Sequence, residues 1–139
     1  MLKMKTLVIV ILFSLALNSC RKIETASNAD NPDLIGNWVN PEYSDSLITY
    51  TKAEKLTENE FGFTFNAGNT LICRQNSGWC GTPPISTADY NGSWSLADSI
   101  VKISVGYWGG TADIKWRIIK LEVSKLEISV ISSEYHPGK

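Results

Sequence analysis

The sequence predicts an all-β domain, an antiparallel up-and-down barrel of about eight strands. Three observations predict it. Apolar residues recur with a period of two along most of the chain after residue 34, short turn-forming segments separate these runs, and no stretch carries a helical apolar stripe. Phe61, Phe63 and Phe65 alternate with Gly62 and Thr64. Val101, Ile103, Val105 and Tyr107 alternate with Lys102, Ser104 and Gly106. Ile114, Trp116 and Ile118 alternate with Lys115 and Arg117, and Leu126, Ile128 and Val130 with Glu127 and Ser129. Between them lie Asn66-Ala67-Gly68-Asn69, Ala97-Asp98-Ser99, Gly109-Gly110 and Val123-Ser124, connections short enough for antiparallel neighbours. Residues 37–40 and 46–52 add two more strands to about six later ones. Closing such a meander removes its exposed edges, which favours a barrel; a two-sheet β-sandwich is the alternative.

Individual segments refine this reading. The apolar parity switches at Ile118-Ile119, since Leu121 and Val123 keep step with Ile119, and a β-bulge there is expected. Residues 51–60 read as a strand end and loop or as a helical turn. Residues 76–92 read as one long loop, because Pro83-Pro84 cannot sit in a central strand. Loops of that length often have a function. Cys73 and Cys80, the only cysteines beyond Cys20, flank its first half. In an oxidising compartment two such cysteines are expected to form a disulfide, which would either pin the loop for binding or merely stop it fraying.

The N-terminus has the order of a secretory signal: Lys3 and Lys5, an apolar run over residues 7–17 broken only by Ser14, then Ser19-Cys20. The run is far shorter than the roughly 20 residues a spanning helix needs. Leu17-Asn18-Ser19-Cys20 resembles the lipobox of bacterial lipoproteins. That resemblance implies cleavage before Cys20, acylation of Cys20, and attachment to a membrane of the cell envelope through those acyl chains. The outer membrane is the expected one, with the domain facing the periplasm or the surface. An ordinary secreted protein and a lone membrane anchor are the alternatives. Residues 1–19 are thus read as signal peptide, 20–33 as lipidated cysteine and tether, and 34–139 as the folded domain. The tether holds one large apolar side chain, Ile23, too little to offset the entropy of ordering. Fully extended, residues 21–33 reach at most about 45 Å. After loss of Lys3 and Lys5, 11 basic and 14 acidic residues remain, a net charge of −3. With no basic stripe, a nucleic-acid partner is not expected.

Gly36-Asn37-Trp38 at the first strand, Phe63-Thr64-Phe65-Asn66-Ala67-Gly68-Asn69, and Gly92-Ser93-Trp94-Ser95-Leu96 occur in that order. Together they resemble the strands of small lipocalin-like, calycin-type lipoproteins of Bacteroidota. The segment Asn76-Ser77-Gly78-Trp79-Cys80-Gly81-Thr82-Pro83-Pro84-Ile85 is similar to one found in an uncharacterised subset of them. The resemblance spans roughly residues 34–131. It implies a barrel closed at one end by Trp38, with Gly36 and Trp38 in structural roles. Many lipocalins set a late arginine over that tryptophan. No arginine follows Arg117 here, so the contact is missing or comes from Arg117 or a lysine.

Catalytic signatures are missing from the sequence. It has no Gly-x-Ser-x-Gly, no His-Glu-x-x-His and no glycine-rich phosphate loop, and its single histidine, His136, lies three residues from the last residue, Lys139. No enzyme activity, cofactor or metal is expected. Asp45, Glu54, Glu58 and Glu60 match no calcium-loop spacing and read as a solvated face. The aromatic residues carry more information. Phe61, Phe63, Phe65, Trp94, Tyr107 and Trp116 fall on inward positions, and Trp79, Tyr90 and Trp108 fall in or beside loops. An eight-stranded barrel has room for its own side chains or for one small ligand. The expected function is therefore non-catalytic. The first reading is binding of a small apolar or amphipathic ligand by Phe63, Phe65, Trp79, Tyr90, Trp94, Tyr107 and Trp116. The alternative is a protein-interaction module, such as an envelope protease inhibitor or an assembly accessory. A cavity of at least roughly 300 Å³ favours the first, and a solid core with an apolar rim favours the second.

Overall fold

The chain folds as alternation dictates, into eight strands that close on themselves. The computed structural model describes residues 31–78 and 83–139. The signal, Cys20 and most of the tether lie outside the described residues, as do Trp79 and Cys80. The strands are β1 (Gly36–Ser44), β2 (Leu47–Ala53), β3 (Gly62–Phe65), β4 (Thr70–Asn76), β5 (Thr87–Ala97), β6 (Ile100–Tyr107), β7 (Gly110–Leu121) and β8 (Lys125–Pro137), with one 3-10 turn at Ala67–Asn69. Every pairing is antiparallel, and every strand has two neighbours, so the barrel is closed and the sandwich alternative falls away. Among the described residues no helix is long and apolar enough to cross a membrane.

From β3 to β8 each strand pairs with the next. The first hairpin is set the other way round: β1 lies between β2 and β3, and β2 closes the barrel against β8. Residues 54–61 must therefore cross β1 to reach β3. Three contacts hold them there. Asn37 Nδ2 donates to the Glu54 carbonyl at 2.9 Å, and Arg74 Nη1 donates to the Leu56 and Thr57 carbonyls at 3.3 and 3.1 Å. Gly62 makes the close approach possible, since a Cβ there would stand 2.9 Å from both Leu56 Cδ2 and the Trp38 carbonyl oxygen.

The bulge expected at Ile118-Ile119 is present, as a register shift between Ile118 and Lys120 against β8. In the β5–β6 turn Asp98 and Ser99 both have left-handed φ, at 50° and 64°, a backbone twist that suits tight hairpins. The long loop is shorter than the sequence suggests. Residues 87–92 are strand, not loop, because β5 pairs with β4 from Thr87 onward. Arg74 and Asp89 stand opposite each other in that register and form a two-pronged ion pair at 2.7 and 2.8 Å.

The core occupies the barrel interior. Trp38 is fully buried (0% exposed), and its Nε1 donates to the Leu34 carbonyl at 2.8 Å, so Leu34 and Trp38 plug the end where the chain enters. The cation over Trp38 is a lysine of the second strand rather than a late residue. Lys52 Nζ sits 5.1 Å from the ring centroid and donates to the Asp33 carbonyl at 2.9 Å. Gly36 clears its path: with φ at +132°, a Cβ there would lie 2.7 Å from Lys52 Cε.

Candidate functional site

Inside the barrel, period-two alternation brings Tyr50, Phe63, Phe65, Trp94 and Trp116 onto one axis, and their rings interlock. Phe63 meets Trp116 edge-on at 4.8 Å, Phe65 meets Trp94 edge-on at 5.3 Å, and Tyr50 stacks on Trp116 at 5.8 Å. Edge-to-face pairs at these separations are packed contacts that leave no room for a guest between the rings. Trp94 sits deep, toward the plugged end, with Nε1 donating to the Asn66 carbonyl at 3.1 Å. Four candidate ligand residues, Phe63, Phe65, Trp94 and Trp116, are thus brought together as core. Burial pushes the Tyr50 hydroxyl well above its ordinary pKa, with Tyr43 and Cys73 adding to it.

Cys73 belongs to the same interior. It is buried between the partners Phe63 and Tyr90, and burial, aided by Asp89, raises its thiol pKa to about 12. Among the described residues it carries no bridge. Cys80 lies outside them, and a bridge would need Cys80 to enter the barrel from the loop.

The opposite end is the mouth. It is ringed by the β1–β2 turn, the stems of the loop after β4, the Trp108-Gly109 turn and the end of β8. Tyr90 stands here, half-buried, with its hydroxyl donating to the Asn76 carbonyl at 3.2 Å. Tyr107 stands at the rim and meets Trp108 and Tyr135 edge-on at 5.8 and 5.4 Å. Trp108 and Tyr135 are 52% and 61% exposed. The sequence reading missed Tyr135, which lies beyond the alternation that ends at Val130. Its register opposite Ala112, a buried residue of β7, is what turns it toward the mouth. Trp79, the remaining candidate, lies outside the described residues.

Two hollows bordered by described residues lie outside the barrel. One of about 440 Å³ is lined by Ser93, Ser95, Lys102, Ser104, Lys115 and Glu134 among others. These side chains alternate with buried ones, so the hollow is a polar groove on the outer face. The other, about 230 Å³, sits at the lip between Pro41, Phe61, Asn76, Ile85 and Thr87. On the outer face Asp113 accepts from Ser104 and pairs with His136, Nε2 to Oδ2 at 3.0 Å, and both hold its carboxyl below the usual carboxylate range. The order is serine, aspartate, histidine, with the carboxylate in the middle. A nucleophile needs its base as the direct neighbour, so this trio does not activate Ser104. No group of three or more histidine, cysteine, aspartate or glutamate side chains among the described residues could hold a metal ion.

Compared with known protein families, curated proteins and solved structures, the chain matches none.

Proposed function

We propose that this chain is a lipocalin-like, lipid-anchored envelope protein that acts without catalysis, as a protein-interaction module whose contact surface is the aromatic rim of the barrel mouth. The observation that carries the reading is the interior. Five interlocked rings pack at its centre, so a small apolar ligand seated among them would have to displace core. The lip hollow, at about 230 Å³, is below the size of ordinary small-molecule sites, and the groove of about 440 Å³, though large enough, is lined mainly by serines and charged side chains rather than by the inward aromatics. The rim instead carries an aromatic cluster open to water, where the exposed Trp108 and Tyr135 both meet Tyr107. Clustered exposed aromatics of this kind are the usual anchors of protein contacts. An envelope location is what the lipobox resemblance at Cys20 implies, and the chain enters the barrel at the plugged end, opposite the mouth.

In-cell crosslinking tests this reading. A photo-reactive residue placed at Trp108 is expected to give a discrete protein adduct in the membrane fraction, and the same group at Lys102 on the outer face none. Equal labelling from both positions, or none from Trp108, overturns it. Saturable quenching of the buried tryptophans by an apolar probe would return the function to small-molecule binding.

A further inference from the structure

The end of β8 has a neighbour on one side only. β2 pairs with β8 from Lys125 to Ser129, and the turn that joins β1 to β2 lies just before Leu47, the last partner of β8 on that side. β7 continues alongside β8 to Pro137. From Val130 on, no other strand lies along the far edge of β8 among the described residues. An unpaired edge presents backbone N–H and C=O groups in a row, and the group that matches such a row is another extended backbone.

Two local features set the length of this edge. A register shift between Lys115 and Trp116 leaves Ile131 as an extra residue, a bulge that interrupts pairing at one end. Pro137 has no N–H and ends it at the other. The usable stretch is Ser132 to His136. Its side chains describe the partner. Tyr135 continues the aromatic cluster through Tyr107, so the edge is continuous with the rim. Glu134 stands opposite Asp113 in the register; Asp113 is already engaged by Ser104 and His136, so Glu134 is the carboxylate left to meet a cation, with Lys115 two residues from Asp113 and opposite Ser132.

We propose that Ser132–His136 of β8 is a docking edge for a short extended segment of a partner protein, apolar at alternate positions and basic where it passes Glu134. The partner strand adds to the sheet antiparallel to β8, its apolar side chains on the Tyr135 face and its basic side chain on the Glu134 face. This names the partner's chemistry for the rim reading above and rests on it.

Amide NMR of the mature lipoprotein in detergent micelles tests the docking edge. The probe is a capped peptide, Val-Thr-Val-Lys-Val-Thr-Val, together with its analogue N-methylated at alternate residues. The peptide is expected to shift the amides of Ser132–His136 saturably, and N-methylation to weaken it about tenfold through lost backbone bonds. Glu134→Lys should weaken the lysine peptide by a similar factor, and a peptide with glutamate in place of lysine should recover it. Absence of saturable shifts at millimolar peptide overturns the proposal, as does binding indifferent to N-methylation. Shifts of the same amides that follow protein concentration without peptide would assign the edge to a second copy and also overturn it. Failure here with a Trp108 adduct still formed in cells would remove the docking edge and leave the rim; failure of both removes the rim.

Discussion

Lys52 reaches Trp38 because residue 36 has no side chain. The lysine stem occupies the space a Cβ would take, and the backbone of Gly36 has a φ that L side chains rarely adopt. Gly36→Ala should therefore cost about 1–3 kcal/mol in a denaturation experiment, and the cost should shrink in a Lys52→Ala background, a coupling that a double-mutant cycle reads directly. Trp38→Ala removes the plug itself and should cost about 3–5 kcal/mol, as for other buried aromatics. Cys73 poses a different question. With its thiol buried and its pKa raised to about 12, almost no thiolate exists near pH 8. The folded protein should then resist iodoacetamide at Cys73, and denaturation without reductant should decide its partner. Labelling at that step means a thiol, and labelling only after reductant means the bridge to Cys80 proposed from the sequence. Rapid labelling of the folded protein would contradict the buried position.

At the scale of elements, Arg74 ties three pieces of chain together. It meets Asp89 across the β4–β5 pair and satisfies two carbonyls of the 54–61 crossover. Removing it leaves those carbonyls without their partner, whereas removing Asp89 breaks only a largely exposed ion pair. Arg74→Met should accordingly cost about 1–2 kcal/mol and Asp89→Asn less than about 1 kcal/mol. The pH dependence has a definite sign. The hydrogen bond from Arg74 holds the Asp89 carboxyl below its ordinary value of 3.8. Its contribution is complete above that value and disappears as the pH falls through the lower, folded value. Wild-type stability should lose this contribution in acid, and Asp89→Asn should not, a difference visible in denaturation curves taken on either side of 3.8. The same Arg74–Asp89 pair explains why residues 87–92 are strand. Thr-Ala-Asp-Tyr-Asn-Gly alternates only weakly, with Ala88 and Tyr90 in step with Trp94. Pairing is imposed by β4, where Cys73 stands opposite Tyr90 and Arg74 opposite Asp89.

For the molecule as a whole, plug, core and mouth lie along one axis. The chain enters beside Leu34 and Trp38, the aromatic rings fill the middle, and Tyr107, Trp108 and Tyr135 end it. If Cys20 is acylated as its lipobox resemblance implies, Cys20→Ala should move the protein from the membrane to the soluble fraction. The mass of the mature wild-type chain should then exceed that of the unmodified Cys20–Lys139 polypeptide by its acyl groups. An unmodified mass would remove the anchor, and with it the envelope reading.

The sequence alone determined the features that depend on near neighbours. Strand alternation follows from backbone geometry, and turn positions follow from residues that tolerate left-handed φ, such as Asp98. The Ile119 bulge shows as a parity change within one strand. Gly-x-Trp marked the plugged end, although only the fold revealed that Lys52 supplies its cation. Tertiary structure decided what depends on distant partners: which strand closes the barrel, where β5 begins, how far β8 outruns β2, and whether inward aromatics enclose a space or fill it. Alternation says which face a side chain takes but not which strand lies beside it. Five inward rings look the same in sequence whether they line a cup or interlock, because the difference is set by ring-to-ring distance across strands far apart in the chain.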